Sequence, residues 1–344
     1  MKRFPWANIA KCLAAVCLIF TLLLSACTPI DTKQSPVTAT ADGKDEQPMR
    51  TAEIFDKKKY KDLLTIRYFY LPGDVAEGDS ILIQTPDGKN MLIDAGSPEV
   101  GPKIVEYLDK LGVDEIHIAL NTHPHSDHIG GFAAVINAKK VDQFYMEQMP
   151  YSSSAYTKTL AALRQKNVPI AFLEEGSTFD LGKDVHFEVL SPAKGALPKA
   201  FEERKKEKVG DSDAAIVNYF SIVTLMTYKN NKFIFGADSY KDREGELVQK
   251  FGSKLDVDFA HVNHHGWNTS SDFDWIKTLS PQYAVASNNI FSTLDVLKRY
   301  DAQKVKIFVT RFNGNVLITS DGNKLNAIPE KQTTTLPPGF LKNQ

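Results

Sequence analysis

Short apolar runs separated by turn-forming residues divide the chain, from about residue 62 onward, into strands and helices. Leu64-Thr65-Ile66-Arg67-Tyr68-Phe69-Tyr70 alternates at period two. Ser80 to Gln84 and Met91 to Ile93 follow around a Gly-Asp turn and the turn Pro86-Asp87-Gly88, which predicts a meander of strands. After Asp94-Ala95-Gly96 the period changes. Ile104, Val105, Leu108 and Leu111 recur at helical spacing, and Gly112 stops that helix. Ile116 to Leu120 reads as a buried strand, followed by a helix over 131–138, a strand over 143–146, a helix over 155–166 and a strand over 169–172. Further on, 186–190 is a strand, 221–227 and 232–236 form a hairpin about Asn230-Asn231, and helix and strand alternate to Ile318. A meander followed by α/β alternation in each half predicts an α/β fold. Two sheets pack face to face with helices outside, giving a four-layer αββα sandwich.

The region before this domain has another character. Lys2, Arg3 and Lys11 accompany an uncharged apolar run from Cys12 to Ala26, about 15 residues long and short of the roughly 20 that span a bilayer. It ends in Leu24-Ser25-Ala26-Cys27, which resembles the lipobox of bacterial lipoprotein signals. That resemblance implies a signal peptide over 1–26, acylation of Cys27, and an extracytoplasmic protein lipid-anchored to a bacterial membrane. A plain secretory signal or a short membrane anchor is the alternative. Residues 27–60 read as a flexible tether with at most a short helix near its end, 61–330 as the domain, and 331–344 as a tail. Roughly 270 residues suffice for one large core. No disulfide supports it, because Cys12 and Cys17 leave with the signal and Cys27 is acylated.

Charge narrows the function classes. The chain carries 41 basic and 42 acidic side chains, and three basic ones lie in the signal. The mature balance is mildly acidic, which argues against a nucleic-acid surface. Lys194 to Gly210 is a charged, strand-free insertion, read as a solvated loop rather than a substrate lid.

Histidine is scarce, yet six of the eight fall in Thr122-His123-Pro124-His125-Ser126-Asp127-His128 and His261-Val262-Asn263-His264-His265-Gly266. The first segment directly follows a buried strand and directly precedes Gly130-Gly131. In extended backbone, residues two apart point the same way, so His123 and His125 can serve one ion. Asp127 and His128, a turn further, can serve a second. Asp94 and Asp238 each follow an apolar strand, where a half-buried carboxylate is costly unless paired. Each alone would read as a turn former. Beside the histidine cluster they read as metal ligands or as groups that hold ligands.

The order Asp94-Ala-Gly, His123-x-His125-x-Asp127-His128, Gly236-Ala-Asp238 and His264-His265-Gly266 resembles the metallo-β-lactamase superfamily. Ala76-Glu77-Gly78-Asp79-Ser80, the Asn218 to Ser221 pair and Asn313 to Gly322 resemble the extracellular hydrolase domain of ComEC-type competence proteins, a likeness that spans about residues 62–328. It implies His123 and His125 at one metal, and Asp127 with His128 at the other. Asp238 would bridge, His265 would complete the second site and His264 would face substrate. Asp94 would steady the histidine loop, and His261 would be a further outer group. Many superfamily members supply a third histidine to the first metal. Here only His186 lies in that interval, inside a strand, while the usual ligand position falls closer to Ser191. His186 therefore reads as an ordinary strand residue.

The resemblance implies two divalent ions, zinc or manganese, activating hydroxide, with Asp127 and His264 as catalytic groups. Trp267 and the residues to Ser271 would line the pocket mouth. The expected substrate is a small-molecule or polymer phosphodiester or related ester, such as a cell-wall polymer or nucleotide. DNA is a weaker expectation because the chain is acidic and lacks a multi-helix channel. A β-lactamase fits less well, given Asp238 and the missing third histidine. The competing class is a binding or assembly lipoprotein that keeps the fold without turnover.

Overall fold

Alternation along the strands becomes packing between two sheets. The computed structural model describes residues 50–73, 78–204, 208–287 and 294–332. The expected signal, Cys27 and most of the expected tether lie outside the described residues. In chain order the strands are β1 (Leu64–Tyr68), β2 (Ile81–Gln84), β3 (Asn90–Ile93), β4 (Glu115–Leu120), β5 (Lys140–Met146), β6 (Ile170–Phe172), β7 (Thr178–Leu181) and β8 (Val185–Ser191). They continue with β9 (Val223–Tyr228), β10 (Asn231–Phe235), β11 (Phe259–His261), β12 (Tyr283–Ala286), β13 (Lys306–Val309), β14 (Val316–Ser320) and β15 (Leu325–Pro329). One sheet runs β15-β14-β1-β2-β3-β4-β5-β6 and the other β13-β12-β11-β10-β9-β8-β7.

Ile66, Tyr68, Ile83 and Ile93 of the first sheet share an apolar core with Phe187, Met226, Phe233 and Phe259 of the second. Leu82, Leu92 and Phe144, on the other face of the first sheet, lie beneath helices Gly101–Lys110, Phe132–Ala138 and Ser154–Gln165. Leu225, Ile234 and Ala260 do the same beneath Lys241–Phe251, Phe273–Leu279 and Asp295–Ala302. The expected helix-sheet-sheet-helix layering is therefore the observed one.

Four segments depart from the sequence reading. Residues 51–60, assigned to the tether, belong to the fold: a short helix Thr51–Ile54 packs Ile54 and Tyr60 against Leu317, and the Arg50 amide donates to the Glu330 carbonyl at 2.8 Å. Ile54, Phe55 and Tyr60 carry this docking, scattered apolar side chains that do not stand out in a charged stretch. The 194–210 insertion is not merely a solvated loop. It holds helix Ala196–Arg204, whose Leu197 packs with Met149, Tyr151, Val209 and Phe220. Strands β7 and β15 went unread because each is short and bounded by polar residues. None of the described helices is long and apolar enough to cross a membrane.

The topology gathers the motif segments. β3 and β4 are parallel neighbours, as are β10, β11 and β12. Asp94, His123, Asp238 and the 263–266 turn all leave the carboxyl ends of these strands, the edge at which open α/β sheets build ligand sites.

Candidate metal centre

Strained backbone marks these strand ends. Asp94, Ala237, His264 and His265 have φ of 55°, 49°, 45° and 52°, and they make up four of the nine described non-glycine residues at positive φ. Such strain costs about 1–3 kcal/mol per residue and persists only where surrounding structure imposes it. Gly78, at φ 79°, permits the closest approach: a Cβ there would lie 1.5 Å from the Asp127 carbonyl oxygen.

Asp94 organises the histidine loop. Its Oδ1 accepts the Thr122 amide at 2.8 Å, and its Oδ2 accepts the Thr122 hydroxyl at 2.6 Å and pairs with His128 Nδ1 at 2.8 Å. The His128 proton is thereby held on Nδ1, and Nε2 is left to face the cluster. His265 is oriented in the same way, with Nδ1 donating to the Ser287 carbonyl at 2.9 Å. The two Nε2 atoms lie 3.2 Å apart, close to the roughly 3.3 Å expected of two imidazoles sharing one tetrahedral ion. Asp94→Asn is expected to weaken metal binding by about 10–100-fold without displacing a ligand, read by competition with a chromophoric chelator.

Carboxylates complete the cluster. Asp238 Oδ2 lies 3.4 Å from His128 Nε2 and 3.8 Å from His123 Nε2, and its Oδ1 lies 3.5 Å from His265 Nε2. Asp127 Oδ2 stands 3.6 Å from His265 Nε2, with its side chain 32% exposed. His123 Nε2 and His125 Nδ1 are 2.9 Å apart. Two groups could each hold an ion, His123-His125-Asp238 and Asp79-His128-Asp238-His265, and they share Asp238.

Asp79 enters the sequence pattern only through the flanking Ala76 to Ser80 motif, which gives it no site role. Its Oδ2 lies 3.8 and 4.0 Å from the Nδ1 atoms of His265 and His128, the sides already engaged by Ser287 and Asp94, and 3.4 Å from His261 Nε2. Asp127 and Asp238 face the Nε2 side. Asp79 therefore sits behind the imidazoles, and the expected outer position of His261 is beside it. His264 is partly exposed, with Nδ1 bonded to Thr269 Oγ1 at 2.5 Å, its ring tilted against Tyr240, and Nε2 3.8 Å from Asp238. The structure thus brings His265 rather than His264 into the imidazole cluster. His186 pairs with Asp180 on the surface, away from it.

The donor set fits divalent cations. Asp79, Asp94 and Asp238 are buried and Asp127 partly so, and among the described residues no lysine or arginine pairs with any of them. Asp238 Oδ1 has no hydrogen-bond donor. Burial disfavours charge on His123, its neighbour His128 adds to this, and the ring is held well below the usual histidine range, neutral as a ligand must be. Burial also opposes charge on His128 and His265, but Asp238 foremost among the carboxylates raises both well above that range. Asp238 is buried as well, yet His265 and His128 hold it well below the carboxylate range. Without metal, protons on these imidazoles supply the positive charge. Metal binding is therefore expected to release protons and to weaken as pH falls, which calorimetry in buffers of different ionisation enthalpy measures.

One clamp was not visible in the sequence. Glu244, inside Lys-Asp-Arg-Glu-Gly-Glu, looks like part of a solvated helix face, but its carboxylate is buried. It accepts the Asn263 amide group at 2.8 Å and the backbone amides of Ser271 and Asp272 at 2.7 and 2.8 Å. It thus ties down both ends of the turn that carries His264 and His265. Ser270 and Ser271 do not cap the following helix. Its N-cap is Asp272, and Ser270 Oγ donates to the Asn263 and Trp267 carbonyls.

Two mixed sheets enclosed by helices, with this centre at their strand ends, define a metallo-β-lactamase-fold protein. Residues 73–198 match the model of the metallo-beta-lactamase superfamily, whose members are mostly metallo-hydrolases and typically hold two divalent metals. It resembles ComEC-type proteins in particular. It is 25% identical over 268 residues to ComE operon protein 3 of Bacillus subtilis (strain 168), covering 71% of this chain and 32% of that one. It is 26% identical over 247 residues to competence protein ComA of Neisseria gonorrhoeae, covering 70% and 30%. The chain thus spans about a third of the length of these two relatives. Among solved structures, the metallo-beta-lactamase fold protein YhfI from Bacillus subtilis superposes with a TM-score of 0.51 at 12% identity, covering 75% of this chain and 100% of that one, a likeness of fold.

Proposed function

We propose that the protein is an extracytoplasmic, lipid-anchored hydrolase of phosphodiester or related ester bonds, working with two divalent ions. The observation that carries this reading is the pair of ligand groups joined at Asp238. Two bound ions supply Lewis acidity, lowering the pKa of water and offsetting charge on a phosphoryl oxygen. His123, His125 and Asp238 would hold one ion, and Asp127, His128, Asp238 and His265 the other, with His128 and His265 oriented by Asp94 and the Ser287 carbonyl. Asp127, the most open of these carboxylates, orients the attacking water. His264, its Nδ1 held by Thr269, presents Nε2 to the reacting group and donates to the developing negative charge when that nitrogen carries the proton.

A groove of about 690 Å³ beside His125 and Asp127, lined also by Glu99, Ser153, Ser154 and Lys158, gives a substrate room to reach these residues. The sequence pattern at Cys27 supports the membrane location. The likeness to competence proteins keeps DNA among the candidate substrates, while the acidic charge balance favours phosphodiesters of nucleotides or wall polymers. Hydrolysis of bis(p-nitrophenyl) phosphate, compared with a chromogenic cephalosporin and single-stranded DNA, tests the assignment. Turnover of the phosphodiester in preference to the cephalosporin is expected. Metal-bound protein inert towards all three would leave a binding lipoprotein as the reading.

A further inference from the structure

Arg67 is 1% exposed, yet among the described residues no carboxylate pairs with it. It belongs to β1, where Ile66 and Tyr68 face the other sheet and Arg67 faces outward, beneath the 51–63 segment. Nε donates to the Ile54 carbonyl at 2.8 Å, and Nη1 donates to Thr65 Oγ1 at 2.8 Å and Gln84 Oε1 at 2.7 Å. The first contact fastens the helix Thr51–Ile54 and the other two hold the guanidinium on the sheet, which is a structural role. They do not engage Nη2, which has no hydrogen bond among the described residues.

Arg67 lines a cavity of about 160 Å³ with Lys57, Tyr60, Lys61, Gln84 and Asn90, and no Asp or Glu lines it. Burial brings Arg67 down to about 10, so it stays charged at neutral pH. A buried cation without a counterion is unfavourable, and a guanidinium with free N–H donors matches a tetrahedral oxyanion. We propose that this cavity, on the outer face of the first sheet and separate from the metal centre, binds a phosphate-class anion through Arg67 Nη2, Lys57 and Lys61. Free phosphate and the phosphate of an anionic lipid share this chemistry, and an anchor at Cys27 would bring the second within reach.

Hydrogen exchange of the full chain reads this face separately from the metal centre. Inorganic phosphate forms one arm, and phosphatidylglycerol against phosphatidylcholine vesicles the other. At ligand ten times its Kd, exchange through local opening over 54–67 and 82–90 is expected to slow about tenfold. Lys57→Ala/Lys61→Ala removes two exposed side chains, should abolish the slowing, and should leave phosphodiester turnover unchanged. Slowing by phosphate supports a soluble anion, and slowing by phosphatidylglycerol vesicles alone supports a lipid headgroup. No slowing in either arm, or slowing that survives in the double variant, overturns the proposal.

Discussion

Replacing Asp238 with Asn should lower phosphodiester turnover on the order of 10³-fold or more and reduce bound metal from about two ions per chain towards one, while the far-ultraviolet circular dichroism stays unchanged. Asp238 is the one carboxylate common to both ligand groups. Losing its charge weakens both sites together, and each tenfold in rate corresponds to about 1.4 kcal/mol of lost transition-state stabilisation. The fold should survive because in the metal-free protein this carboxylate opposes imidazoles, not a structural cation. Metal analysis and kcat on the same preparation check the prediction. Two ions per chain with turnover within tenfold of the parent would show that Asp238 does not bridge.

Glu244→Ala should cost about 3–5 kcal/mol of stability, because the Asn263 side chain and the Ser271 and Asp272 amides lose a buried acceptor together. It should also lower metal occupancy, since the released turn carries His265. Glu244→Gln separates charge from shape. Burial raises the Glu244 carboxyl from 4.5 to about 7, against the lowering pull of its three N–H donors. Between those values the folded state holds a proton that the unfolded state has lost. The resulting penalty is absent below about pH 4.5, grows as pH rises and is complete above about pH 7, reaching roughly 3 kcal/mol. The stability of the parent minus that of Glu244→Gln should therefore fall from pH 5 to pH 8. Urea unfolding across that range measures it, and a constant difference would show that Glu244 is ionised throughout.

The contrast between Asp94 and Glu244 shows what one chain discloses. Asp94 closes an apolar strand and precedes Ala-Gly, a pattern that alone reads as a turn former, and the histidine cluster elsewhere in the sequence is what marks it as a buried carboxylate in need of a partner. Glu244 lies among charged helix residues, and only the packing of its helix against the 263–272 turn buries it. Asp79 is intermediate. It stands in a recognisable stretch, but its place behind His128 and His265 depends on how β2 and the turn after β11 meet in space. The sandwich itself was legible because alternation and helical spacing are local properties. The docking of 51–60 and the helix within 194–210 were not, since a few apolar contacts decide each.

Metal titration of chelator-stripped protein, with turnover of bis(p-nitrophenyl) phosphate followed at each addition, tests the dinuclear reading most directly. Activity should rise until about two equivalents per chain are bound and should vanish again on chelation. Full turnover in stripped protein, or saturation of activity with no metal retained, would contradict it.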